Sequence, residues 1–159
     1  MQAIEIENSP QLGKKNKKME QLLEKKTVRT HINGFESLTK EIQDSQYILN
    51  LKPNWDEDGA LPVSPIIYET SIAFLKNYAV FIAKKYKKTL ETPSINPVKN
   101  GSIDLEWHTP NARLLINIRD AENAYYYGDQ HKNTNSIKGN ITTQTVENFF
   151  AVWLTKLSR

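Results

Sequence analysis

Asp104, Glu106 and His108 occupy alternate positions of the segment Ser102–His108, so in an extended chain two carboxylates and an imidazole share one face. Such a trio has the donors for a divalent cation, or for a base that activates water, which is the chemistry of metal-assisted hydrolysis. Arg113 and Arg119 stand in the next segment, Ala112–Asp120. With Pro110 and Asn111 at the centre of the turn, Trp107 lies opposite Leu114, Leu105 opposite Ile116 and Ile103 opposite Ile118. Glu106 then comes diagonal to Arg113 and Asp104 diagonal to Arg119, so ion pairs across a half-solvated hairpin account for the same residues. No catalytic residue and no metal ligand is assigned on this pattern.

A second acidic group, Asp56-Glu57-Asp58, lies in the loop Asn54–Pro62. It lacks the alternating ligands and terminal glutamate of an EF-hand. Asn54, Trp55, Asp56 and Gly59 instead predict a structural loop, an Asx-type turn anchored by the indole.

Cations gather in two places. Lys14, Lys15, Lys17, Lys18, Lys25, Lys26 and Arg29 face only Glu20 and Glu24 between residues 10 and 29, seven positive charges against two negative. Lys84, Lys85, Lys87 and Lys88 form the other cluster. Both could bind phosphates with an affinity that falls with salt, or could be a solvated tail and a solvated helix end. No aromatic residue interleaves with them, so a stacking platform for single strands is not indicated there. One exposed tyrosine among Tyr125, Tyr126 and Tyr127 could stack a base, although core and cross-strand packing is the more ordinary use of such a run. His31 and His131 have no histidine or carboxylate at metal-motif spacing, and no nucleophile elbow, P-loop, dinucleotide fingerprint or paired-histidine motif is present.

The elements that must position these residues follow from periodicity. Phe35, Leu38, Ile42 and Leu49 suggest an amphipathic helix over Glu36–Asn50, ended by Pro53. Ser64-Pro65 is a helix start, and Ile67, Ser71, Phe74, Leu75, Tyr78, Phe81 and Ile82 keep helical spacing to about Lys85. A short edge strand, Ser94–Val98, precedes the turn at Asn100-Gly101 and the central hairpin. Strands over Ala124–Tyr127 and around Ser136–Thr142 follow, separated by a loose loop, Gly128–Asn135. Thr143 is the expected N-cap of a last helix whose stripe is Val146, Phe149, Phe150, Trp153, Leu154 and Leu157. The expected fold is α+β: an antiparallel meander of four or five strands with two helices before it and one after, all on one face. Residues 1–34 read as a basic extension, flexible or ordered by a partner, and 35–159 as a single domain.

Composition sets the remaining bounds. The 159 residues are 38% hydrophobic and 25% charged with net charge +3, enough for one domain with a real core. Cysteine is absent, which excludes disulfides, thiolate metal sites and a cysteine nucleophile. No run approaches the roughly 18 consecutive apolar residues of a membrane span, and the amino terminus lacks a secretory pattern, so a cytoplasmic protein without membrane contact is expected.

Asn54-Trp55-Asp56 with Gly59-Ala60, Ser64-Pro65, Pro93 to Pro97, Asn100-Gly101 and Leu105-Glu106-Trp107 together resemble an uncharacterised family of small bacterial proteins. Those proteins carry an Asn-Trp-Asp-Gly-x-Gly-Ala loop, a Pro-Ser helix start and a Leu-Glu-Trp strand. The resemblance spans about Leu38 to Tyr127 and departs at Glu57, where the family has glycine, and at Asp58, where it has an aromatic residue. It implies a bacterial cytoplasmic α+β domain and supplies no catalytic residue. The leading expectation is therefore a non-enzymatic protein-interaction module, an accessory, antitoxin-like or immunity and defence-associated subunit, with a protein partner and no cofactor. Nucleic-acid binding through the basic segment is the first alternative, and hydrolysis on the polar sheet face the second.

Overall fold

The computed structural model describes residues 10–157, with side chains for 14–29, 33–132 and 135–157. The first helix, α1 (Pro10–Asp44), passes directly into a 3-10 segment, Ser45–Asn50. Then come α2 (Pro65–Tyr86), strands β1 (Ser94–Pro97), β2 (Ile103–His108), β3 (Ala112–Ile118), β4 (Asn123–Gln130) and β5 (Asn133–Thr142), and a short α3 (Asn148–Leu154). The five strands are antiparallel in the order β1-β2-β3-β4-β5, with two helices before the sheet and one after, which is the α+β meander expected from the sequence.

The central hairpin has the register that its alternation dictates: Trp107 faces Leu114, Leu105 faces Ile116 and Ile103 faces Ile118, all six buried. Thr109 closes its turn, since its hydroxyl accepts from the Ala112 amide at 3.1 Å while its own amide donates to the Ala112 carbonyl at 3.0 Å. Trp107 cannot be buried with an idle N–H, and its Nε1 donates to the Glu91 carbonyl at 2.6 Å.

Helix α2 begins where Ser64 accepts from the Ile67 amide at 3.3 Å and Pro65 supplies a preset φ. It ends at Lys87, whose φ of 53 is left-handed, and so several residues before Pro93. By length and composition α2 could cross a membrane, yet Tyr68, Ile72, Phe74, Leu75, Tyr78 and Ile82 are buried as part of the core under the sheet. Burial pushes the Tyr78 phenol up to about 12, and its oxygen accepts from the Glu147 amide ahead of α3 at 3.0 Å. From α3, Phe150 packs on Tyr126 of β4, and Trp153 lies on Gly128, where a β-carbon would stand 2.7 Å from the indole.

Four local expectations are corrected. The helix over Glu36–Asn50 turns 3-10 at Ser45, and three residues per turn bring Ile48 into the core while Leu49 and Phe35 stay exposed. The expected loose loop Gly128–Asn135 is the tip of a hairpin, with β4 and β5 paired up to Gln130 and Asn133. Thr143 does not cap α3; its hydroxyl donates to the Ala121 carbonyl at 2.6 Å, and the helix starts after Glu147. His131 is tied down, its amide donating to the Asn111 carbonyl at 3.0 Å.

Among the described side chains of α1, the docked ones lie in its carboxy-terminal part. Leu38 is buried, Ile42 packs against the core, the Tyr68 hydroxyl donates to the Ile42 carbonyl at 3.1 Å, and the Glu41 carboxylate accepts from the Ile95 amide on β1 at 3.0 Å. Residues 14–29 are exposed throughout, and the helix runs unbroken from them through residue 34 into the packed turns.

Candidate functional site

Because the basic segment is helical, its cations have defined directions. At about 100° per residue, Lys14, Lys15, Lys18, Lys25, Lys26 and Arg29 fall within an arc of roughly 120° on α1, Lys17 lies outside it, and Glu20 and Glu24 project from the opposite side. The six form two matching triplets, each cation of Lys14, Lys15 and Lys18 recurring 11 residues later as Lys25, Lys26 and Arg29. Eleven residues are close to three turns, so both triplets point the same way, about 16 Å apart along the axis. Leu22 lies on this face between the triplets, with Met19 and Leu23 on its flank; all three are exposed, at 57%, 60% and 58%. The 11-residue spacing was readable in the sequence, but it has meaning only once the segment is a helix.

The second surface is the open face of the sheet. Asp104 is directly opposite Asn117, whose amide donates to its carboxylate at 2.5 Å and to the Ser102 hydroxyl at 2.9 Å. Arg119 reaches the same network by donating to the Asn117 carbonyl oxygen at 2.6 Å, and its guanidinium lies over the Tyr125 ring at 5.0 Å. Arg113 pairs with Asp129 of β4 at 2.8 Å, and the Glu106 carboxylate stands 3.7 Å from His108 Nε2. In place of the diagonal ion pairs expected from the sequence, Glu106 with Arg113 and Asp104 with Arg119, Asp104 and Arg113 take the directly opposed Asn117 and Asp129, while Glu106 and Arg119 contact His108 and Asn117 two residues away on their own strands. Burial raises the Asp104 carboxyl above its ordinary value, against the lowering effect of the Asn117 hydrogen bond. Asp104, Glu106 and His108 share a face but do not converge, and among the described residues no three His, Asp or Glu side chains are grouped as a metal ion would need.

Alternation on β4 separates the tyrosines. Tyr125 and Tyr127 lie on the open face, 41% and 45% exposed, with Leu115 beside Tyr127, while Tyr126 points to the helices.

The loop Asn54–Ala60 closes upon itself. The Asp56 carboxylate accepts from the Asp58 and Ala60 amides at 2.9 and 3.0 Å, which holds its pKa below the usual range, and Asn54 Oδ1 accepts from the Gly59 amide at 2.7 Å. Trp55 Nε1 donates to the Leu61 carbonyl at 3.1 Å, and Lys99 pairs with Asp58 at 3.2 Å. The carboxylate that would bind a cation is thereby engaged with backbone amides. In the Lys84–Lys88 cluster, Lys85 donates to Asn148 Oδ1 at 2.8 Å and stands over the Phe81 ring, so it fastens α2 to the start of α3. The side chain of His31 lies outside the described residues.

Compared with models of protein families, with curated proteins and with solved structures, the chain matches none.

Proposed function

We propose that this chain is a nucleic-acid-binding protein whose phosphate contacts are made by the exposed arm of α1. The observation that carries this reading is the separation of charge around the helix, six cations on one side and both glutamates on the other. A solvated helix end does not require such segregation, and no packing against the body imposes it, because residues 14–29 are exposed on every side. Six phosphates neutralised would give an affinity that drops roughly 10³-fold between about 50 and 200 mM salt. Anisotropy of a labelled nucleic acid, titrated with the full chain and with a variant carrying glutamine at all six positions, tests the reading. Tight, salt-sensitive binding lost in the variant supports it. No binding at low salt, or equal binding by the variant, ends it.

The open sheet face favours a second reading, a protein-interaction module acting as an accessory subunit. Two exposed tyrosines beside Leu115, rimmed by Arg113, Arg119, Asp104 and Glu106, have the aromatic centre and polar rim of an interface. Protein recovered from its own host cells should co-elute with a stoichiometric partner, and changing both Tyr125 and Tyr127 to serine should release it. A chain that elutes alone in both forms counts against this reading.

A further inference from the structure

We propose that the nucleic acid taken by α1 is double-helical DNA, entered through the major groove, with Leu22 turned to the base edges and the cations of both triplets on the phosphates that border the groove. This rests on the nucleic-acid reading above and specifies its ligand. The first argument is dimensional. The major groove is about 12 Å wide and admits an α-helix of 10–12 Å diameter. With the axis along the groove, Lys14 and Lys25 project to one side of Leu22 and Lys15 and Lys26 to the other, and long side chains let them reach the backbones that border it. The groove can receive the arm from any side, because no residue from 14 to 29 is covered by the body.

The second argument is the chemistry between the triplets. Leu22 is at the middle of the cationic arc, where a helix lying in the groove meets the base edges, and aliphatic side chains suit the thymine methyl group. The same placement disfavours other occupants. A membrane-surface helix separates an apolar face from a basic one, whereas here Leu22 is embedded among the cations and Val28 lies about 120° around the helix from it. A second copy of the arm would oppose a charge of the same sign. A-form RNA has a major groove too deep and narrow for side chains to read, and a single strand would want aromatic platforms, which residues 14–29 lack.

The test uses the full chain with labelled duplex DNA, duplex RNA and single-stranded DNA of equal length, together with heparin and phosphatidylserine vesicles. The diagnostic variant is one alanine inserted between Gln21 and Leu22, which rotates one triplet by roughly 100° relative to the other with no change in charge. Circular dichroism confirms that its helix persists. The expected result is duplex DNA bound roughly tenfold or more tighter than the other two nucleic acids, a preference lost in the insertion variant while heparin binding is kept. Equal affinity for all three nucleic acids in both proteins overturns the groove inference but leaves phosphate binding intact. Binding to heparin or vesicles with none to any nucleic acid overturns both.

Discussion

Gly34 of α1 faces Thr89 so closely that a β-carbon on the glycine would stand 1.8 Å from the threonine methyl. This is the place where the exposed arm becomes the docked part of the helix, so the pair sets how the arm leaves the body. Alanine is worth about 1 kcal/mol over glycine inside a helix, whereas overpacking costs about 1–3 kcal/mol. Gly34→Ala should therefore lower stability by about 1 kcal/mol in urea unfolding. In a Thr89→Ser background, where the methyl is gone, the same change should become neutral or stabilising. A stabilising Gly34→Ala in the parent chain would contradict the close approach.

Glu57 has a φ of 63, a left-handed conformation that glycine adopts without the cost of roughly 1–2 kcal/mol borne by other residues. Glu57→Gly should raise stability by about 0.5–1 kcal/mol, net of the entropy that glycine adds to the unfolded chain. A lower unfolding midpoint would show that the side chain, rather than the backbone, matters at this position.

The three consecutive tyrosines should differ sharply. Tyr126 packs on Phe150 under α3, and Tyr126→Ala should cost about 3 kcal/mol. Tyr125 and Tyr127 are exposed, and serine at either should cost no more than about 1 kcal/mol, including the Arg119 contact over Tyr125. Equal losses at all three would mean that the register of β4 is wrong.

Asp104 gives a pH dependence with a defined sign. Burial, the largest influence, raises its folded pKa above the unfolded value, so its contribution to stability is greatest below the unfolded pKa and is lost as pH rises through the folded one. Asp56 and Asp120 run the other way, since backbone amides depress both and their contributions are lost as pH falls. Asp104→Asn keeps an oxygen for the Asn117 amide and removes the buried charge. It should match the parent in acid and exceed it at neutral pH. An advantage that is constant across the range would assign the effect to something other than ionisation.

Much of this architecture was legible in the sequence, for physical reasons that also explain the misses. Ile103, Leu105 and Trp107 alternate strictly up to a Thr-Pro-Asn turn, so one register buries all of them and a slip by one residue would expose them. Ser64-Pro65 marked the start of α2 because capping is a local interaction. Strand β5 extends beyond the segment that its sequence suggests: it is an edge strand, and of Asn133–Thr142 only Ile137 and Ile141 are large and apolar, so its extent comes from pairing with β4 rather than from its own pattern. The pairing of Arg113 with Asp129 was missed for a related reason, since it depends on how β3 and β4 align, and three adjacent tyrosines leave that alignment open. The cations of α1 and their 11-residue spacing are visible in the sequence, but their single face emerges only from the helix.

The most direct test of the account is the salt dependence of duplex-DNA binding. For six phosphate contacts, log Kobs against log salt should have a slope near −5 for the full chain. Neutralising one triplet with Lys25→Gln, Lys26→Gln and Arg29→Gln should reduce its magnitude by about 2.7, three contacts at roughly 0.9 each, whereas Lys17→Gln, outside the cationic arc, should change it little. A flat salt dependence, or a slope unaltered by loss of the triplet, would contradict the claim that this face of α1 is a phosphate-binding surface.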